Sequence, residues 1–587
     1  MRLINVESVT LEEFMVVTPG TLDYVILSHT WEDEEVTFQD FTSNSSQLSL
    51  KKGFAKILAT CEFAKRDGIK YAWVDTCCID KTSSAELTEA INSMFNWYRD
   101  AKVCYAWLAD LPGSSEEPIE SSLRKCRWFT RGWTLQELIA PRRVEFYDRY
   151  WNFRGTKDEL KELIADASHI GEDVLADPDG LYRVSIAQRM SWAAKRQTTR
   201  PEDMAYCLIG IFGVNMPMLY GEGQRAFLRL QEEIVKETND LSIFAWKATS
   251  VDQRYRGIFA RSPSEFHECG AVTLIDDAML SPEFSLGNKG LRIHTDLITG
   301  ADGTYLLKLN CNKDLWRPAL SIWIYHHGSE VYSRCRAHEY GDNTKVDTRP
   351  LHKKNIIIFK QLDALHSADL EASHRHAFVF RKNFNTMLTT RYPGFPFTAS
   401  PIEPHSRWDA DRCMLNTRGV DQFNGFAYFW TRPDTSASDL LKEFSMAGEW
   451  FIIAFGKFGD EPWITVHGKD NKYGLKLLEV GSTDLERMGR MARESLLSPP
   501  SIILKNFAGD PFKIMTVSFN EGTLDGQDVY FIDIDIEDVP VPQYVTDQAL
   551  LAWKSPHVDY SKSTSYKPDE QSPGDEFEGV DIGVLFE

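Results

Sequence analysis

The chain has 587 residues, and its 86 acidic against 65 basic side chains give a net charge of −21, so a general DNA- or RNA-binding role is excluded. Hydrophobic residues make up 43% and aromatics 12%, enough for sizeable cores in about two to four domains. The longest apolar runs, such as Trp450 to Phe455, are far too short to span a bilayer.

The opening MRLINVESVTLEEF carries no signal-peptide core, and ten scattered Cys without a C-x-x-C pair read as reduced thiols of a cytoplasmic protein. Tyr24 to Ser28 is an apolar run that ends in the polar loop His29-Thr30-Trp31-Glu32-Asp33, the pattern of a buried strand. Leu50 to Asp67 reads as a helix with the stripe Phe54, Ile57, Leu58, Cys61 and Ala64, and Gly68 stands at its C-cap. Tyr71 to Val74 is a second strand running into Asp75-Thr76-Cys77-Cys78-Ile79-Asp80. A second helix starts at Ser83, with Glu86 completing a capping box and Leu87, Ile91, Met94, Phe95 and Tyr98 as its stripe. Val103 to Leu108 is a third strand and Val144 to Tyr147 a fourth. Between them lies CRWFTRGWTLQELIAP, Cys126 to Pro141, in which Gly132 breaks the chain, Trp133 to Ala140 forms a short helix and Pro141 stops it.

Strands alternating with helices imply a parallel sheet with helices on its faces, and ligands of such sheets bind at the carboxyl ends of the strands. Ser28, His29, Trp31, Asp75, Asp80 and the Trp133–Glu137 segment are therefore expected along one edge. Trp133 and Glu137, four apart, share a helix face. A carboxylate beside a ring in a partly dry pocket has a raised pKa or steadies a developing cation, whereas the plain alternative is core packing with a solvated acid.

From Thr156 to Trp246 the chain reads helical, with further capping boxes at Thr156/Glu159 and Thr199/Glu202. Tyr220-Gly221-Glu222-Gly223-Gln224 opens a helix, and such a turn either holds an anion or is simply a turn. Beyond Gly257 short β-rich runs recur, interrupted by a helix near Asp484 to Leu497, and read as one mainly antiparallel all-β domain. Ser, Pro, Asp and Glu dominate from Ser561 onward. The expected units are an α/β domain over 1–155, a helical extension packed on it over 156–247, a β-rich domain over 257–545 and an acidic disordered tail over 546–587.

The ordered set YVILSHTWEDEEVTF, YAWVDTCCIDK, AINSMFNWYRDAKVCYAWLADL and RGWTLQELIAP resembles the fungal HET (heterokaryon incompatibility) domain. RPEDMAYCLIGIFGVNMPMLYGEGQRAFLRLQEEI is similar to the segment that follows it in many large HET proteins. The resemblance covers about residues 1–247. It implies a fungal protein of non-self recognition whose HET domain triggers a cell-death response. It also implies a distant likeness to TIR domains, which have a flavodoxin-like α/β fold and some of which cleave NAD with a glutamate. Carried over by position, Tyr24 to Trp31 looks like the TIR first strand and its loop. Trp133 to Glu137 looks like the TIR Trp-Cys-x-x-Glu pattern, with Thr134 where those domains have Cys. Glu137 is then the catalytic carboxylate, while Ser28, His29, Trp31, Asp75 and Trp133 contact NAD as substrate, and no resident cofactor or metal is required. The alternative is a non-catalytic signalling or adaptor module that self-associates through the HET domain and binds an unknown protein partner.

Other readings weigh less. Asp75 and Asp80 either serve a magnesium or ribose site or cap the next helix. Cys77 or Cys78 with His29 would make a cysteine-protease pair. Asp533, Asp535 and Glu537 share a strand face, as calcium ligands or as a solvated face. His326 and His327 point to opposite strand faces and so do not ligate one metal together.

Overall fold

The structure is a computed structural model. It describes residues 1–15, 22–43, 48–275 and 282–538, the last stretch except for 301–303, 314–318, 329, 342–352, 374, 382–396, 400–401, 410–412, 418–419, 432–449, 460, 469–483, 495–500, 505–512 and 525–526. The acidic tail expected over 546–587 lies outside the described residues.

The N-terminal region is a seven-stranded sheet. In chain order its elements are β1 (Arg2–Asn5), β2 (Thr10–Glu13), β3 (Tyr24–His29), α1 (Phe38–Thr42), α2 (Lys52–Arg66), β4 (Tyr71–Trp73), α3 (Asp75–Cys78), α4 (Ser84–Asp100), β5 (Val103–Trp107), α5 (Ile119–Ser122), α6 (Thr134–Ile139), β6 (Val144–Tyr147) and β7 (Phe153–Thr156). The spatial order is β2-β1-β4-β3-β5-β6-β7. The pairs β3–β4, β3–β5 and β5–β6 are parallel, as the alternation of strands and helices predicts. The outer pairs, which the sequence pattern did not announce, are antiparallel: the β1–β2 hairpin docks on β4, and β7 docks on β6. Every residue of β3 is buried, as expected for a central strand covered on both faces.

The helices pack as their periodicity requires, with one correction. On α2 the buried residues are Gly53, Lys56, Ile57, Thr60, Cys61 and Ala64. Leu58, expected in the core, is 38% exposed. Each helical residue turns the side chain by about 100°, and the buried face centres on 53, 57, 60 and 64, which carries position 58 to its flank. Ser83 caps α4 by accepting from the Glu86 amide, but the Glu86 carboxylate does not close the box: it binds Arg2 and accepts the Asp80 amide at 2.8 Å. Gly68, just past α2, adopts φ +71°, the left-handed C-terminal geometry that glycine takes without penalty.

The helical extension comprises α7 (Lys161–Ser168), α8 (Glu172–Ala176), α9 (Ile186–Ser191), α10 (Asp203–Tyr206), α11 (Ile209–Phe212) and α12 (Arg225–Glu237). It packs on α4 so closely that a Cβ at Gly210 would fall 2.2 Å from the Phe95 Cβ. The carboxylate of Glu202 accepts both glycine amides of the turn before α12, Gly221 at 2.8 Å and Gly223 at 2.9 Å. That turn does hold an anion, one supplied by the chain itself, and Glu202 is therefore not part of a capping box with Thr199.

The later region is strand-rich and mainly antiparallel, with sheets of eight, two, six and four strands. The helix Leu485–Glu494 interrupts it near the expected place. One hydrophobic core runs without a break from Leu3 to Ile358, so the first of these sheets is continuous with the helices before it. A second core, including Phe378, Phe455, Val517 and Tyr530, lies between the six- and four-stranded sheets. Asp533 pairs with Arg381 at 3.2 Å and Asp535 is exposed, which is the solvated-face arrangement. All ten cysteines are free thiols. Among the described residues no helix is long and apolar enough to cross a membrane.

Candidate functional site

In the parallel part of the sheet the strand order reverses at β3. The chain passes from β3 to β4 on one side and then crosses to β5 on the other. Ligand crevices of open α/β sheets lie at such a point, beyond the carboxyl ends of the strands. Ser28 and His29 end β3, Asp75 opens α3 directly after β4, and α6, which follows β5, brings Glu137 back to the same end.

The centre of the site is a buried polar chain. The Trp128 indole donates to the Ser28 hydroxyl at 2.8 Å, and Ser28 donates to the Glu137 carboxylate. Glu137 is 7% exposed. Burial, with the Asp75 charge adding to it, pushes its carboxyl up to about 8 against the Ser28 and Tyr98 hydroxyls and the Arg196 charge.

Beside this chain lies a charged one. His29 meets Asp75 through Nε2 at 3.2 Å and Lys56 through Nδ1 at 3.3 Å. A lysine ammonium has only donors, so Nδ1 accepts and Nε2 donates to Asp75. Lys56 also pairs with Glu35, whose Oε1 accepts the Glu32 amide at 2.9 Å. Trp31, 52% exposed, donates its indole N–H to Asp75 at 3.0 Å, and Lys81 lies over the Trp31 ring at 3.6 Å. Burial raises the Asp75 carboxyl, but Lys81, His29 and Trp31 together outweigh it and hold that carboxyl well below the usual carboxylate range. Two carboxylates at one sheet edge are thus held in opposite states, Asp75 ionised and Glu137 protonated at neutral pH. That separation is the usual mark of an acid–base pair.

Ser28, His29, Trp31, Asp75 and Glu137 are therefore brought together. Trp133 is engaged elsewhere, beside Asp203 of the extension, whose carboxyl it helps to lower against burial. The ring bonded into the Glu137 chain is Trp128, carried by the one-turn 3-10 helix Arg127–Thr130 that the helical spacing argument did not foresee. Asp80 bonds Thr82 at 3.0 Å and Gln39 at 2.7 Å, a turn role outside the cluster. Cys77 and Cys78 are buried, burial raises the Cys77 thiol, and both His29 nitrogens are committed, so a thiolate–imidazole pair is not formed. Lys56, Glu35 and Lys81 were missed. The signal for Lys56 was a lysine on the apolar face of α2, one residue before Ile57.

Thr134 donates to the Trp128 carbonyl and accepts from Arg196 Nη1 at 3.0 Å. Lys157 closes the other end of α6, donating to the carbonyls of Leu138 at 3.3 Å and Pro141, and burial lowers its ammonium to about 8.

Residues 24–119 match the family described as Heterokaryon incompatibility protein (HET), and residues 225–256 match a domain of unknown function (DUF8212). The HET match carries Ser28, His29, Trp31, Lys56, Asp75 and Lys81 and stops short of Glu137. The chain is 46% identical over 227 residues to the vegetative incompatibility protein HET-E-1 of Podospora anserina, covering 37% of this chain and 16% of that protein. Most of the switch-point cluster thus lies in a stretch that is similar to the heterokaryon incompatibility family, and the chain spans about a sixth of the length of the relative it matches.

Proposed function

We propose that this chain acts in heterokaryon incompatibility as a protein of non-self recognition whose HET domain triggers a cell-death response through TIR-like cleavage of NAD, with Glu137 as the essential carboxylate. The parallel strands follow the order second-first-third-fourth, the order in which a flavodoxin-like sheet begins, and this supports the TIR-like reading. The observation that carries the proposal is Glu137 itself: a buried carboxyl raised to about 8, hydrogen-bonded to a serine at the switch point.

The chemistry asks for little more. The C1′–N bond of the nicotinamide ribose breaks, and its electron pair leaves with nicotinamide, which becomes neutral. The ribose passes through an oxocarbenium-like state that water attacks, forming ADP-ribose and releasing one proton. The ionised fraction of Glu137, the minor one at neutral pH with a carboxyl raised to about 8, steadies the cationic ribose and takes the proton from water. The half-exposed Trp31 ring offers a stacking face for the substrate, and Ser28 holds the Glu137 carboxylate. Self-association through the HET domain and binding of an unidentified protein partner belong to the alternative, adaptor reading.

A second reading, a non-catalytic adaptor, is favoured by the low exposure of Glu137 and by the saturation of Ser28, which leaves the carboxylate little contact with solvent. The purified chain is expected to consume NAD, and Glu137→Gln is expected to abolish that loss and cell killing while remaining folded. Full killing by folded Glu137→Gln removes Glu137 from the mechanism. Killing by wild type with no NAD loss selects the adaptor.

A further inference from the structure

The extension does more than cover the sheet. Its segment 196–198 lies along the loop that leads into α6. The Gln197 amide donates to the Thr130 carbonyl at 2.7 Å, and the Gly132 amide donates back to the Gln197 carbonyl at 2.9 Å, which makes a short parallel bridge. The approach is so tight that a Cβ at Gly132 would fall 2.6 Å from Thr198 Cγ2 and 3.0 Å from the Cys207 sulfur. Glycine is needed there because it lacks that carbon.

From this strap Arg196 enters the domain. Its Nη1 donates to the Arg131 carbonyl at 2.8 Å and to Thr134 Oγ1 at 3.0 Å, and its Nε donates to the Trp192 carbonyl at 3.2 Å. Thr134 in turn binds the Trp128 carbonyl, Trp128 binds Ser28, and Ser28 binds Glu137. Arg196 Nη2 is buried and has no hydrogen-bond partner among the described residues.

We propose that Arg196 is a positioning residue for Glu137, and that the helical extension regulates the carboxylate site by strapping the loop before α6. The proposal rests on the reading of Glu137 as the site's carboxylate. The groups whose charges act on Glu137 are Asp75 from α3, Tyr98 from α4, Cys104 from β5, and Arg196 and Cys207 from the extension. Among them Arg196 is the cation. The charge of a buried guanidinium with one donor unpaired favours the ionised form of a neighbouring carboxyl. Movement of the extension would therefore change both where α6 sits and how readily Glu137 gives up its proton. This couples the helical extension to the sheet edge through backbone bonds and one side chain.

The test needs no substrate. The unfolding free energy of the full chain is measured from about pH 5 to 10 for wild type and Glu137→Gln, and the difference isolates the Glu137 titration. The same pair is then measured with Arg196→Met and with Arg196→Lys. The midpoint is expected to rise by about one pH unit with Arg196→Met and to return towards wild type with Arg196→Lys. An unmoved midpoint in folded Arg196→Met overturns the proposal. If Arg196→Met does not fold, Gly132→Ala, whose methyl pushes Thr198 and the strap away, is expected to raise the midpoint likewise, and no rise there overturns it. An unmoved midpoint in a chain that consumes NAD removes the strap and keeps the catalysis. A shifted midpoint in a chain that leaves NAD intact keeps the strap and removes the glycohydrolase.

Discussion

Two buried charged clusters in this molecule handle the same problem in different ways. At the junction between the helical extension and the first β sheet, Arg256 donates to both oxygens of Glu265 at 2.9 and 3.1 Å. Arg334 donates to the carbonyls of Phe244, at 2.9 Å, and Trp246, and both guanidiniums lie over the Trp246 ring, at 4.8 and 3.7 Å. Opposite charges, carbonyls and a ring are all in contact there, and the arrangement is suited to fixing two layers together. At the sheet edge Asp75 is treated similarly, but Glu137 receives a hydroxyl and no cation at hydrogen-bonding distance. A charge that is matched holds structure. A carboxyl left unmatched in a dry site has a proton it can exchange near neutral pH, which is a property of chemistry rather than of support.

The sharpest way to break this comparison is to remove one half of the matched pair. Glu265→Ala leaves the Arg256 charge buried alone and should cost about 3–5 kcal/mol in denaturant unfolding. A cost below about 1 kcal/mol would mean that the junction pair is no clamp.

The unmatched carboxyl should show itself through pH. The folded pKa of Glu137, about 8, lies above the 4.5 of the free side chain, so between these values the folded state binds the extra proton. Its contribution to stability is then complete below about pH 4.5 and is lost as pH rises through about 8, a change on the order of a few kcal/mol. Glu137→Gln should flatten that slope. An equal slope in the variant would show that Glu137 titrates near its ordinary value.

Much of this edge was legible from the order of elements alone. Ser28, His29, Asp75 and Glu137 converge because each follows a strand of one parallel sheet, and strand ends are set by apolar runs that are easy to see. The identity of the ring was not legible. Helical spacing pairs Trp133 with Glu137, but the 3-10 turn at Arg127–Thr130 delivers Trp128 instead, and one-turn helices have too few residues to show a period. Arg196 was equally hidden, because two of its three partners are backbone carbonyls, which leave no trace in side-chain pattern. The N-terminal hairpin escaped for a related reason: at four residues each, β1 and β2 are too short for a clear alternation.

The smallest effect separates α2 from α4. Ile91, buried on α4, should cost about 2–5 kcal/mol when changed to Ala. Leu58→Ala, at the exposed flank of α2, should stay within about 0.5 kcal/mol. Equal losses at the two positions in the same melting series would show that the flank of α2 is covered by something.

The Glu202 carboxylate, seated in the glycine turn before α12, has a consequence for competition. A tethered group offers its site an effective concentration on the order of millimolar or more and does not diffuse away. Free phosphate and nucleotide phosphates must outcompete a ligand that belongs to the same chain. The start of α12, which leads into the Arg256 and Arg334 junction, is thereby insulated from changes in the surrounding pool of anions.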